Sequence, residues 1–256
     1  QRQMCIRDRR AYGAEVVVTP NAPPDSPEAY TAVAARIARE TPGAYMPDQY
    51  ANPLNPLAHE RTTGEEIWTQ TGGKITHLVA GVGTGGTICG IARALKAHNP
   101  AITIVGVDPE GSVYSGGLPQ PYEIEGIGRH YIPQTLDLRV IDRMLRVSDA
   151  EAFEMARRAG REEGLLVGGS SGAALAGSVR LAQELGDTGV MVVVLPDSGQ
   201  AYLSKIFSEA WLDAHGYAAN RAATVSDVPA ADARVFVGSE ITLRDAETIM
   251  RERGVE

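Results

Sequence analysis

The sequence is short of cysteine, aromatic residues and lysine, and each shortage narrows what the chain can be. Only Cys5 and Cys89 occur, too few for a disulfide framework or a four-thiolate zinc site, so no metal is expected and a reducing cytoplasm is the default setting. Lysine appears three times, at Lys74, Lys96 and Lys205; the rest of the 24 basic residues are arginine. Aromatic content is 5%, and no apolar run approaches the ~20 residues of a membrane span, so no membrane association is expected. A basic stripe is also absent. The net charge of −8 argues against a nucleic-acid surface. The opening residues are polar and charged, with neither a secretory signal nor a lipidation motif.

What is present has the pattern of an α/β protein. Of the 256 residues 43% are hydrophobic and 22% charged, ordinary proportions for a globular chain. Strand-like runs at 15–19, 76–82, 102–107, 165–167 and 190–195 alternate with helical segments. Such runs are apolar on consecutive residues, which suggests a parallel sheet covered on both faces. Ser26-Pro27 is expected to open a helix with Tyr30, Val33, Ala34, Ile37 and Ala38 on its apolar face. Thr63–Glu66 and Ser148–Glu151 have the spacing of capping boxes. Beyond an Ala-rich stretch at 218–223, a strand-like 235–237 and a helix opened by Thr242 look like the first part of a further domain.

The loops after the runs are the informative feature. They read Gly83-Thr84-Gly85-Gly86-Thr87, Asp108-Pro109-Glu110-Gly111-Ser112, Gly168-Gly169-Ser170-Ser171-Gly172 and Pro196-Asp197-Ser198-Gly199. In an open parallel sheet, ligands bind beyond the carboxyl ends of the strands, so these four loops are expected to gather on one edge. In the 83–87 loop, glycines let backbone N–H groups approach an anion and two threonines add hydroxyls at a helix start; a phosphate fits there. Spacing alone leaves two phosphates open. Gly81, Gly83 and Gly86 also satisfy a dinucleotide fingerprint, with Asp108 placed as a ribose-binding acid, so a nicotinamide-dependent oxidoreductase is a rival.

From about Arg10 to Tyr217 the sequence resembles the cysteine-synthase/cystathionine-β-synthase family of fold-type-II pyridoxal-phosphate enzymes. The matching segments are Asn52-Pro-Leu-Asn-Pro-Leu-Ala-His59 with Thr62-Thr63-Gly64, the 83–87 loop, Glu125-Gly126-Ile127-Gly128, residues 164–172, and Pro196-Asp-Ser-Gly199 with Tyr202-Leu-Ser-Lys205. The run from Asp108, the Pro-Asp-Ser motif and Glu209-Ala-Trp-Leu212 lean toward the cystathionine-synthase branch. The resemblance implies a three-layer, tryptophan-synthase-β-like fold with a nearly complete large domain and a partial small one. It also implies pyridoxal 5'-phosphate as cofactor, small amino-acid substrates and a homodimer. Gly83, Thr84, Gly85, Gly86 and Thr87 would cradle the cofactor phosphate, and Ser198 would meet the pyridine nitrogen. Glu125, Gly126, Ile127 and Gly128 would line the substrate side, with Gln49 nearby. His59 reads as a structural hydrogen-bonding residue and Cys89 as a core residue. Arg129 stands where the family often has a small or tyrosyl residue, which bears on the second substrate.

The resemblance also implies a Schiff-base lysine, and none of the three lysines matches it, so no catalytic residue is assigned. The expected organisation is foreign sequence at 1–9, a remnant of the smaller domain at 10–55, the cofactor domain at 56–218, a linker at 219–223, and the start of a truncated regulatory domain at 224–256. Such a fragment is expected to expose an apolar face and to be poorly soluble. The reaction implied for the parent is replacement of the serine hydroxyl by homocysteine sulfur. Cysteine synthesis from O-acetylserine and sulfide is the alternative within the family, and a non-catalytic pseudoenzyme the alternative outside it.

Overall fold

Residues 6, 9–20, 22–23, 26–186 and 189–217 are described by a computed structural model. Its sheet is built from the apolar runs. β1 (His77–Gly81) pairs in parallel with β2 (Thr103–Pro109), Leu78 opposite Ile104 and Gly81 opposite Val107. β3 (Arg143–Val147) joins the free side of β2, and β4 (Met191–Val193) joins β1, giving the all-parallel order β3-β2-β1-β4. Leu78, Val79, Ala80, Ile104, Val105 and Val107 are all buried, so consecutive residues pack on opposite faces and both faces are covered. Each of the Leu, Ile and Val side chains contributes about 1.5–3 kcal/mol of burial.

Among the described residues of the unit Gln1–Phe207 the helices include α1 (Tyr30–Glu40), α2 (Leu54–Arg61), α3 (Thr63–Gln70), α4 (Gly86–His98), α5 (Asp149–Glu163) and α6 (Gly169–Leu185). Ile88, Ile91 and Leu95 of α4 share one buried cluster with Leu78, Ala80, Val82 and Ile104. On the alternate face of β2, Gly177 of α6 lies directly against Val107. The sheet therefore sits between helical layers, a three-layer α/β architecture. The Ser148–Glu151 box forms with both reciprocal bonds and starts α5, while Gly164 in the left-handed region ends it.

Several expectations change. Residues 15–19 are not a strand of the sheet, and Val17 and Val18 are exposed. α1 begins at Tyr30 and not at Pro27, because the Ser26 hydroxyl accepts the Glu28 N–H (3.2 Å) in a separate turn. Of its expected face only Val33 is buried, and Tyr30 and Ile37 are exposed. The box at Thr63 does not form; the cap position is Thr62, without a side-chain bond, and the Thr63 hydroxyl pairs with His59 instead. Val167 makes a single antiparallel bridge to Ser198 rather than a strand, since Gly168 already caps α6. β3 escaped detection because Arg143 and Arg146 interrupt its short apolar run. It is an edge strand, and Arg143 reaches solvent and pairs with Glu184 (2.5 Å).

The second unit, Ser208–Glu256, has one described helix, α7 (Glu209–Ala214), capped by the Ser208 hydroxyl; Trp211 stacks on His215 with centroids 4.0 Å apart. The expected linker at 219–223, the strand-like 235–237 and the helix from Thr242 lie outside the described residues.

Candidate functional site

The carboxyl ends of β1 and β4 and the first turns of α4 and α6 border one cleft of about 400 Å³. The wall comprises Gly83, Thr84, Gly85 and Thr87 after β1, Pro196 and Asp197 after β4, Ser170 of α6, and Glu125, Gly126, Ile127 and Arg129 from the β2–β3 connection, with Gln49 and Tyr202 completing it. Most of the expected site residues thus converge. Gly86 and Gly128 are buried and not part of the wall, and Ser198 is exposed beside it.

The 83–87 loop is held open for a ligand by its neighbours. Gly85 adopts φ +85°, the left-handed conformation that favours glycine, and a Cβ there would lie 2.6 Å from the Leu136 Cα. At Gly86 a Cβ would fall 1.8 Å from the Asn55 amide oxygen, so the absence of a side chain is what admits Asn55. Asn55 in turn donates to the Thr84 hydroxyl (3.1 Å) and to the Gln49 carbonyl (2.7 Å). The Thr84 hydroxyl accepts the Gly86 N–H (3.2 Å), and Thr135 donates to the Thr84 carbonyl (2.7 Å). The Thr87 hydroxyl lies 3.2 Å from His59 Nε2, whose other nitrogen meets Thr63 (3.0 Å). Burial pushes the His59 pKa below its usual 6.5, which suits a neutral ring fixed between two hydroxyls. His59 is therefore a positioning residue for Thr87. The first α4 bond runs from the Cys89 N–H to the Gly85 carbonyl (2.9 Å), leaving the N–H groups of Thr87 and Ile88 without a helical acceptor. A second helix start, at Ser170 of α6, borders the same cleft, so two macrodipoles present their positive ends to it.

The loop after β2 does not join the others as expected. Asp108 is fully buried, and its Oδ2 accepts the Ser115 N–H (2.9 Å) and hydroxyl (2.8 Å). Burial pushes this carboxyl above the usual carboxylate range, with Ser112 and Ser115 offsetting part of the rise. It is out of reach of a ribose. Ser112 holds the opposing wall instead, accepting the Arg129 N–H (3.1 Å) and donating to the Arg129 carbonyl (3.2 Å).

Asp197, next to the expected Ser198, was missed by sequence reasoning although it stood in the same motif. Its carboxylate gathers the Gly168 N–H (3.2 Å), the Ser171 hydroxyl (3.2 Å) and the Tyr202 hydroxyl (2.7 Å), tying the start of α6 to the turn after β4. The Ser198 hydroxyl accepts the Gln200 N–H (3.3 Å) and caps the 3-10 turn Gly199–Tyr202. Glu125 pairs with Lys205 (2.5 Å), and Lys96 pairs with Asp142 (2.8 Å). No lysine is among the wall residues. Cys89 is on the buried face of α4, where burial raises its thiol pKa and disfavours the nucleophilic thiolate. Among the described residues no cluster of three or more His, Cys, Asp or Glu side chains is placed to hold a metal ion, and no helix is long and apolar enough to cross a membrane.

Comparison with known proteins gives consistent matches. The family model for pyridoxal-phosphate dependent enzymes matches residues 5–197. The chain is 49% identical over 219 residues to the cystathionine beta-synthase of Oryctolagus cuniculus, covering 81% of this chain and 39% of that protein. It is 46% identical over 213 residues to that of Apis mellifera (81% and 42%), and 42% identical over 267 residues to that of Mus musculus (96% and 47%). The chain thus spans less than half the length of these curated relatives.

Proposed function

We propose, on the premise that this chain belongs to the pyridoxal-phosphate dependent enzyme family, that it forms the cofactor-binding part of a β-replacement enzyme of cystathionine β-synthase type. The reaction on this reading joins L-serine and L-homocysteine to L-cystathionine. The observation that carries it is the 83–87 loop. Its glycines leave room that a Cβ would fill, its threonine hydroxyls are fixed by Asn55 and His59, and it opens a helix. That donor set fits the cofactor phosphate. When bound, pyridoxal phosphate supplies a ring that stabilises negative charge at the substrate α-carbon.

The remaining roles follow from the chain's own groups. Ser198 meets the pyridine nitrogen with a neutral hydroxyl, which does not force that nitrogen to stay protonated and suits β-replacement better than transamination. Asp197 has both oxygens engaged and keeps the cleft wall in place. Glu125, Gly126 and Ile127, with Gln49, form the substrate side, and buried Gly128 supports it from behind with its carbonyl on Arg129. The amine that bonds the cofactor aldehyde is not in the described wall, and on this reading it comes from elsewhere in the intact enzyme. Residues 10–55 then belong to the smaller domain and 56–218 to the cofactor domain, followed by the 219–223 linker and a regulatory domain starting at 224. The intact enzyme works as a homodimer in the cytoplasm, in transsulfuration and cysteine biosynthesis.

Binding tests this directly. The chain is titrated with pyridoxal phosphate, phosphate-free pyridoxal and NADH, followed by absorbance and fluorescence. Pyridoxal phosphate binds, pyridoxal binds far more weakly, and NADH does not bind. Thr84→Val weakens pyridoxal phosphate about tenfold, one hydrogen bond's worth. Binding of NADH without pyridoxal phosphate overturns the reading.

A further inference from the structure

Among the described residues the guanidinium in the cleft wall has no counterion. Half-buried Arg129 donates from Nη1 to the Gly128 carbonyl (2.9 Å) and from Nη2 to the Tyr50 hydroxyl (2.8 Å), and lies 5.4 Å from the centre of the Tyr50 ring. Among the described residues, the groups that act on its charge most are the phenols Tyr50, Tyr122 and Tyr114, and no carboxylate pairs with it. Burial alone disfavours this cation, but the Tyr50, Tyr122 and Tyr114 phenols outweigh it and hold the Arg129 pKa above its ordinary value, so the guanidinium stays charged. Its backbone is clamped: the N–H goes to Ser112, and the carbonyl accepts from the Ser112 hydroxyl and from the Val113 N–H (3.0 Å). The charge is therefore held in place before any ligand arrives.

Tyr50 supplies a second polar group. Its hydroxyl lies 2.8 Å from Arg129 Nη2 and 3.2 Å from the Tyr30 hydroxyl, and the Gln49 side chain also bonds to it. A guanidinium fork beside a phenol hydroxyl suits a carboxylate, which can take two N–H groups and an O–H together. Arg129 also borders a second hollow of about 520 Å³, walled by Tyr30, Pro121, Tyr122, His130 and Tyr131. It is distinct from the 83–87 loop, so the cleft has a place for one phosphate and, separately, for one smaller anion.

We infer that Arg129 and Tyr50 bind the carboxylate of the acceptor amino acid, and that the tyrosine-walled hollow is where this acceptor lodges. The inference rests on the cofactor reading above and deepens it: Arg129 makes the site select an acceptor bearing a carboxylate over sulfide or a simple thiol.

The test uses the whole chain and unreactive thioethers as probes, which avoids condensation of a thiol with the cofactor aldehyde. L-Methionine and its decarboxylated counterpart, 3-(methylthio)propylamine, are titrated by calorimetry. The wild-type chain favours methionine at least tenfold. Arg129→Gln abolishes the preference, Arg129→Lys keeps part of it as a point charge, and Tyr50→Phe reduces it severalfold. Pyridoxal phosphate affinity stays within twofold in all three variants, which also shows that they fold. Equal or undetectable binding of both probes to wild type overturns the inference, as does a preference that survives Arg129→Gln. Failure of pyridoxal phosphate to bind wild type, with the methionine preference intact, sinks the cofactor reading and leaves the carboxylate site standing.

Discussion

A single methyl group placed on two helices should act in opposite directions. Gly90 lies in α4 where α2 crosses it, and a Cβ there would sit 2.2 Å from the Pro56 carbonyl oxygen, 2.7 Å from the His59 Cβ and 2.8 Å from the Glu60 nitrogen. None of these atoms can swing away, so Gly90→Ala requires α2 to retreat by about 1 Å, at an overpacking cost of roughly 1–3 kcal/mol. Replacing glycine by alanine in a helix returns about 0.5–1 kcal/mol. The net expectation is a loss of about 1–2 kcal/mol. In α5, a Cβ on Gly160 would meet only the Leu165 oxygen and a Phe207 carbon, both at 3.9 Å, an ordinary contact. There the propensity gain stands alone, and Gly160→Ala should stabilise by about 0.5–1 kcal/mol. Urea unfolding measures both, as midpoint shifts at unchanged slope. The effect at Gly90 also reaches the cleft, because α2 carries Asn55 and His59. Retreat lengthens their bonds of 3.1 Å to Thr84 and 3.2 Å to Thr87 beyond useful reach, weakening pyridoxal phosphate about tenfold. Shifts of the same sign in both variants would refute the packing account. A destabilised Gly90→Ala with unaltered cofactor affinity would refute the supporting role of α2.

Two further outcomes follow from single side chains. Ser148→Ala removes the α5 capping box and should cost about 1 kcal/mol in urea unfolding. Burial raises the Glu151 carboxyl, but its bonds to the Ser148 N–H (2.9 Å) and hydroxyl (2.8 Å) outweigh this and hold it below the usual range. Its contribution is therefore complete above the ordinary carboxylate range and fades as pH falls through its lowered folded value; in Ser148→Ala the Glu151 pKa rises, as NMR titration will show. His59, lowered by burial, is the basic counterpart: the unfolded chain takes the proton first, so stability is full above about pH 6.5 and declines as pH falls toward the folded value. His59→Gln, which keeps hydrogen-bonding capacity, should flatten that part of the stability profile; an unchanged slope would remove His59 as its source.

The sequence by itself determined the parts that depend on local chemistry. The runs 76–82 and 102–107 hold strands buried on both faces, and the Gly-Thr loop behind β1 starts a helix at the sheet's carboxyl edge, as its local pattern indicates. Ser148 and Glu151 specify a helix start through contacts three residues apart. Distant partners were another matter. β3 reads as surface because two of its five residues are arginines, and only its place at the sheet edge explains them. Thr63 reads as a cap, yet His59 one turn earlier claims its hydroxyl. Asp108 has the spacing of a ribose acid, and only the fold shows it buried under Ser112 and Ser115. Arg129 was legible as a departure from the family pattern, but its lack of a carboxylate partner among the described residues and its bond to the Tyr50 hydroxyl, 79 positions away, were not. Charge pairing and burial are properties of what lies near a side chain in space, and a one-dimensional pattern records only what lies near it along the chain.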